Sequence, residues 1–172
     1  MRICEVIDSI KPYQTKNVLI TGGEPLLQRQ TPALIEALQK ENYSVSIETH
    51  GEISIEKAGQ TARIIMDIKT PSSGMCRGGY QKNIHLLKES DEVKFVIASE
   101  QDYNWAKDFI LNTKFPTKEI LFSPAVQAEN QPGAFPGVSA KWLADQILKD
   151  RLPVRFQIQL HKLLWGPNAR GV

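Results

Sequence analysis

Six short apolar runs alternate with helical stretches along this 172-residue chain, so the unit strand–loop–helix recurs five times. A strand that returns to its sheet through a helix lies parallel to the strand before it, with a right-handed crossover. The expected class is therefore α/β: an open parallel sheet of about six strands with flanking helices, either doubly wound or an open barrel. The strands read as Asn17–Thr21, Tyr43–Gly51, Arg63–Ile68, Glu92–Ile97, Lys118–Phe122 (broken at Ser123-Pro124) and Pro153–Leu160. Helical periodicity covers Arg2–Lys11, Gln30–Asn42 with Thr31-Pro32 opening it, Ile53–Ala62, Asn83–Ser90, Gln101–Asn112, and a stretch capped by Ser139 that runs to Lys149. Val126–Val138, rich in Pro, Gly, Gln and Asn, reads as a loop over the carboxyl edge of the sheet. No repeat or linker divides residues 1–172, which are read as one domain. A domain of about 150 residues buries roughly 70% of its unfolded surface, enough for a real core.

The strand ends carry the chemistry. Val18–Ile20 is continuously apolar, as for a strand buried on both faces, and stops at Thr21-Gly22-Gly23-Glu24-Pro25. Two glycines remove two β-carbons, so a ligand can lie against the main chain there, and Pro25 opens a helix at its first turn. Ligands of open α/β sheets collect outside the carboxyl ends of the strands. Glu48-Thr49-His50-Gly51, Asp67-Ile68-Lys69-Thr70-Pro71 and Ser123-Pro124 fall at the same edge. Individually each has a bland reading: Glu48 as a helix cap, Asp67 and Lys69 as a surface pair. Jointly they suggest one concave site, because polar groups there need partners.

Composition excludes several classes. A net charge of +2 without a basic cluster gives no basis for nucleic-acid binding. No apolar run approaches the ~20 residues of a membrane span, and no signal-peptide pattern is present. Cys4 and Cys76 make no disulfide framework, so a reduced, cytoplasmic setting is expected. Cys4 falls on the apolar face of the first helix as a small core residue, and Cys76 in a Gly-rich loop. His50, His85 and His161 lack metal spacing, and His85 and His161 read as structural. No P-loop or nucleophile elbow occurs.

Leu19-Ile-Thr-Gly-Gly-Glu-Pro-Leu-Leu-Gln28 resembles the Gly-Gly-Glu-Pro motif of the radical S-adenosylmethionine (SAM) enzymes. Together with Ile-Glu-Thr-His-Gly51, Met-Asp-Ile-Lys-Thr-Pro-Ser-Ser-Gly74 and Leu-His-Lys-Leu-Leu-Trp165, it resembles one family of that group, the 7-carboxy-7-deazaguanine synthases, from about Val18 to the C-terminus. The resemblance implies a partial radical SAM barrel and ring contraction of 6-carboxy-5,6,7,8-tetrahydropterin, with SAM, a [4Fe-4S] cluster and Mg2+. It implies SAM contacts at Gly22, Gly23, Glu24, Asp67, Ile68, Lys69, Ser123 and Pro124. Thr21 is expected to reach the pterin, and Glu48 a substrate amino group or ring N–H, because a carboxylate matches the paired donors of a guanine-like edge. A homodimer is implied as well.

The family holds its cluster with Cys-x3-Cys-x2-Cys ahead of the Gly-Gly-Glu-Pro strand, whereas only 21 residues and one cysteine, Cys4, precede Gly22 here. The expectation is a chain shortened at its N-terminus relative to the family, lacking cluster ligands and the Mg2+-binding threonine, and inactive as it stands. An exposed edge at Val18–Ile20 follows, and self-pairing with it. The alternative is a non-catalytic remnant that binds a ligand or a partner.

Overall fold

A computed structural model describes residues 2–125 and 137–166. One six-stranded, all-parallel sheet contains β1 (Asn17–Ile20), β2 (Ser44–Thr49), β3 (Arg63–Ile68), β4 (Glu92–Ile97), β5 (Glu119–Pro124) and β6 (Arg155–Phe156). Their order in the sheet is their order in the chain. The winding never reverses, and right-handed crossovers then place the connecting helices on one face. The doubly wound alternative is thereby excluded, leaving the open partial barrel. The helices are α1 (Ile3–Ile10), α2 (Thr31–Lys40), α3 (Glu56–Gly59), α4 (Gln81–Ile84), α5 (Glu100–Asn112), α6 (Ala140–Asp150) and α7 (Leu160–Trp165).

Alternation along each strand separates two faces. Val45, Ile47, Ile64, Met66, Ile68, Val93, Phe95, Ile97, Ile120 and Phe122 form the core, together with Ile35 and Leu38 of α2, Tyr103 and Ala106 of α5 and Leu143 of α6. Phe95 meets Phe122 and Phe109 edge-on, at ring separations of 5.5 and 6.1 Å. The opposite face carries Ser46, Glu48, Arg63, Asp67, Glu92, Lys94, Glu119 and Ser123, interspersed with Ile65, Val96 and Leu121, so it is largely polar.

Several local expectations are corrected. The exposed edge expected at Val18–Ile20 is present, whereas burial of β1 on both faces is not: among the described strands β1 pairs with β2 alone, and Leu19 is 49% exposed. The last strand shrinks to Arg155–Phe156, because from Leu160 the chain coils into α7. β5 runs through Ser123-Pro124. Proline at its last position costs no ladder bond, since the Ala125 N–H reaches the Ile97 carbonyl at 2.8 Å instead. The helix expected at Ile53–Ala62 contracts to the single turn Glu56–Gly59, and in place of the one expected at Asn83–Ser90 stands a single turn at Gln81–Ile84. There the Asn83 side chain takes over backbone pairing, donating to the carbonyls of Gly51 (2.7 Å) and Ile53 (2.8 Å) and accepting from the Ile55 N–H. Thr31 does not cap α2: its hydroxyl donates to the Pro25 carbonyl at 2.6 Å. Cys4 is exposed rather than a core residue. Of the expected loop Val126–Val138, residues 126–136 lie outside the described residues, as does the side chain of His161. No helix among the described residues is long and apolar enough to cross a membrane.

Candidate ligand-binding rim

The two ends of the polar face differ in how well its charges are satisfied. At the amino ends of the strands, Arg63 pairs with Glu92 (2.6 Å), Arg155 reaches the same Glu92 (3.5 Å), and Arg155 also holds Glu119 (3.0 Å). At this end the charges pair with one another. At the carboxyl ends, Asp67 Oδ1 and Ser123 Oγ are buried with no hydrogen-bond partner among the described residues. Ser123 is 0% and Asp67 8% exposed. A buried polar atom without a partner costs about 1–3 kcal/mol, so two of them on one rim point to a ligand. Both belong to the residues singled out from the sequence.

The Gly22-Gly23 turn faces open space. Gly22 has φ +97° and Gly23 φ +54°, and a β-carbon built on either meets nothing within 4 Å. Thr21 and Gly22 line a cavity of about 480 Å3 with Ile3, Val6, Ile20 and Leu34, on the helix-covered side of β1 rather than on the polar face. That size suits a small molecule.

Glu24 faces the next strand instead of this opening. Its carboxylate, 8% exposed, accepts from the Leu26 N–H (3.0 Å), the Thr49 hydroxyl (2.8 Å) and the His50 N–H (2.9 Å). His50 adds a fourth donor: its Nδ1 accepts the Glu52 N–H at 3.0 Å, which leaves the ring proton on Nε2, 3.1 Å from Glu24. Glu24 thus ties the exit of β1 to that of β2 and sets the position of the glycines.

Glu48 pairs across β3 with Lys94 (2.7 Å), and Lys69 pairs with Asp67 Oδ2 (2.6 Å), which leaves Asp67 Oδ1 for a donor. Ile68 points the other way, into the core, so only its backbone is available at this edge.

Three supporting residues escaped the sequence reading. Lys94 interrupts the apolar residues Val93 and Phe95–Ile97 of β4, and that incongruity was its signal. Asp102, fully buried in the first turn of α5, accepts from the N–H of Ser72 (2.9 Å) and of Ala98 (3.1 Å), clamping the loop after β3 to the end of β4. Ser72 and Ser99 hydroxyls meet at 2.9 Å beside it. Nothing in local pattern marks Asp102, because a carboxylate in a first helical turn is ordinary. Lys162 of α7 stands over the far end of the rim, in a cavity of about 450 Å3 with Pro124, Ala125, Ile158 and Gln159.

No protein-family model matches the chain. It is 39% identical over its whole length to the 7-carboxy-7-deazaguanine synthase of Chlorobaculum tepidum, covering 76% of that protein. It is 37% identical to the Koribacter versatilis synthase, over 90% of this chain and 71% of that one. Among solved structures, QueE from Escherichia coli superposes with a TM-score of 0.61 at 16% identity, over 91% of this chain and 64% of that one. Streptococcus suis SuiB bound to S-adenosylmethionine gives 0.62 at 13%, over 98% and 45%. The structural likenesses establish a shared fold. Identity of this order across three quarters of a relative establishes more: the chain belongs to the 7-carboxy-7-deazaguanine synthase family.

Proposed function

We propose that the carboxyl rim is the SAM- and pterin-binding edge of a synthase that contracts 6-carboxy-5,6,7,8-tetrahydropterin to 7-carboxy-7-deazaguanine. The observation that carries this reading is the pair of orphaned buried atoms, Asp67 Oδ1 and Ser123 Oγ, on the same rim as the open Gly22-Gly23 turn. SAM fits these residues. The backbone at Gly22 and Gly23 receives its methionine end, and Asp67, the Ile68 backbone, Lys69, Ser123 and Pro124 receive the remainder. Glu24 serves from behind by fixing the turn. Thr21 faces the pterin, and Glu48, anchored by Lys94 through one oxygen, offers the other to a ring N–H.

A [4Fe-4S] cluster does not fit. It needs thiolate ligands, and the chain holds two cysteines, Cys4 exposed on α1 and Cys76 half-buried in the loop after β3. Among the described residues no group of three or more His, Cys, Asp or Glu is placed to hold a metal ion. This polypeptide by itself is accordingly expected to bind SAM in the micromolar to millimolar range, roughly −8 to −4 kcal/mol, and not to turn over. The same reading makes the protein cytoplasmic and a homodimer. The second reading is a non-catalytic module that binds a ligand or a partner.

Calorimetry with SAM tests the rim. The parent chain should bind, and Gly23→Val, whose side chain would fill the open space, should not; equal binding would refute the assignment. Anaerobic reconstitution with iron and sulfide, reduction and assay for 5′-deoxyadenosine tests turnover. None is expected from this chain, and activity should appear once an upstream Cys-x3-Cys-x2-Cys segment is supplied. If it stays absent, the module reading prevails.

A further inference from the structure

We propose that His50 is a positioning residue for SAM: its ring holds Glu24, and through Glu24 the Gly22-Gly23 turn, in the geometry that receives the methionine end. The proposal rests on the SAM reading of the rim above and adds to it a side chain that stands behind the turn. The turn cannot hold itself. Gly22 and Gly23, at φ +97° and +54°, carry no side chains, and a β-carbon on either meets nothing within 4 Å, so their placement is inherited from the residue that follows them.

The buried Glu24 carboxylate is satisfied by the Leu26 N–H of its own turn, by the Thr49 hydroxyl and the His50 N–H at the exit of β2, and by the His50 ring, 3.1 Å from Oε2. Only the ring is a donor whose hydrogen depends on a tautomer. A neutral imidazole donates from one nitrogen, and Glu52 decides which. Its N–H points at Nδ1 from 3.0 Å, so Nδ1 keeps its lone pair and Nε2 carries the proton. The opposite tautomer would set N–H against N–H at one nitrogen and a lone pair against a carboxylate at the other. With both nitrogens engaged, the ring has none left to move a substrate proton or to ligate a metal, which separates positioning from catalysis.

The segment that fixes His50 is itself fixed. Gly51, at φ +75°, is packed so closely that a β-carbon would come 2.9 Å from Met66 Cγ, and the Glu52 carboxylate accepts the Gly79 N–H at 2.8 Å. Gly79 lies in the loop after β3, and a β-carbon there would strike that carboxylate. One chain of hydrogen bonds therefore runs from the Gly22-Gly23 turn through Glu24, His50 and Glu52 to Gly79. It joins the turn proposed for the methionine end of SAM to the loop that follows Asp67 and Lys69, proposed for the remainder. His50 is the one link whose two bonds are both made by its side chain, so substitution there severs the chain without removing a backbone group.

Asparagine and glutamine each keep one half of the imidazole: Asn offers an acceptor near the place of Nδ1, and Gln a donor near the place of Nε2. The full chain is titrated with SAM by calorimetry as the parent, His50→Asn and His50→Gln, and the ring 15N signals of the parent are recorded with and without SAM. The free parent should show the Nε2–H tautomer, and its Nε2 signal should move when SAM is added, although the ring lies behind the turn. His50→Asn should lose SAM affinity by about tenfold, the scale of one hydrogen bond to a charged group. Exchange at its Glu52 amide should stay slow, which shows that the exit of β2 is intact. His50→Gln should bind SAM within about threefold of the parent. An Nδ1–H ring, a His50→Asn variant that binds SAM as the parent does, or a His50→Gln variant as weak as His50→Asn overturns the proposal and leaves the SAM reading standing. Fast exchange at Glu52 in His50→Asn assigns its loss to local unfolding and overturns the proposal as well. Absence of SAM binding by the parent overturns the SAM reading itself, and the positioning role with it.

Discussion

Gly23 and Gly51 both adopt positive φ at strand exits, yet they answer different demands. A β-carbon on Gly51 (φ +75°) would sit 2.9 Å from Met66 Cγ and 3.1 Å from Tyr80 Cβ, inside the core. One on Gly23 would meet open space. Gly51→Ala should therefore combine left-handed strain with overpacking and cost about 2–3 kcal/mol in urea unfolding. Gly23→Ala should cost only the strain, about 1 kcal/mol, and spend its main effect on SAM affinity. Glu24→Gln belongs with Gly51: it would turn an amide NH2 toward a ring of four donors. A loss of about 1–3 kcal/mol is expected, measurable by the same unfolding experiment.

At the scale of elements, the site is held by carboxylates that bridge one strand exit to the next: Glu24 from β1 to β2, Asp102 from the loop after β3 to β4. Asp102→Ala leaves two buried N–H groups unpaired, with a cost of about 1–3 kcal/mol. Amide hydrogen exchange at Ser72 should accelerate while exchange in the β2–β3 ladder is unchanged; uniform acceleration would show global destabilisation instead. A second latch joins α5 to the end of α6. Asp150 accepts from Lys107 (3.0 Å) and from the Tyr103 hydroxyl (2.8 Å). The hydrogen bond from Lys107, then that from Tyr103, hold its pKa below the usual aspartate value, while burial, then Asp150, pushes the Tyr103 phenol up. A carboxylate with a lowered folded pKa stabilises above its unfolded value of about 3.9 and loses that contribution as pH falls through the folded value. Asp150→Asn should lower Tm at neutral pH, and the gap to the parent should close in acid below about pH 3.9. A gap that persists there would mean the loss comes from packing.

For the whole molecule, the open side of the sheet governs behaviour. β1 pairs on one side only and exposes Leu19, so its outer row of N–H and C=O groups can pair with another strand. The chain is expected to self-associate at high micromolar concentration. Sedimentation as a clean monomer would count against the edge as an interface. A charge on the edge opposes association, so Leu19→Lys should shift the distribution toward monomer.

Sequence alone determined the alternation of strands and helices, and with it the parallel sheet, because period-2 and period-3.6 patterns are local properties of the chain. It also placed Thr21, Gly22, Gly23, Glu48, Asp67 and Ser123 at one rim, since parallel strands must end on the same side. Tertiary structure decided the rest. Whether the sheet winds once or twice depends on strand order, which no single segment encodes, and Val18–Ile20 looked doubly buried because an apolar edge strand and a central one share a local pattern. Ile53–Ala62 lost its helix to Asn83, some thirty residues away, through hydrogen bonds no local propensity can anticipate. Glu24 was read as a ligand contact and turned out to face Thr49 and His50. Which polar groups of the rim were left without partners, Asp67 Oδ1 and Ser123 Oγ among them, emerged only once Lys69, Lys94 and Asp102 had taken theirs, because satisfaction of a buried polar atom is a property of its neighbours in space.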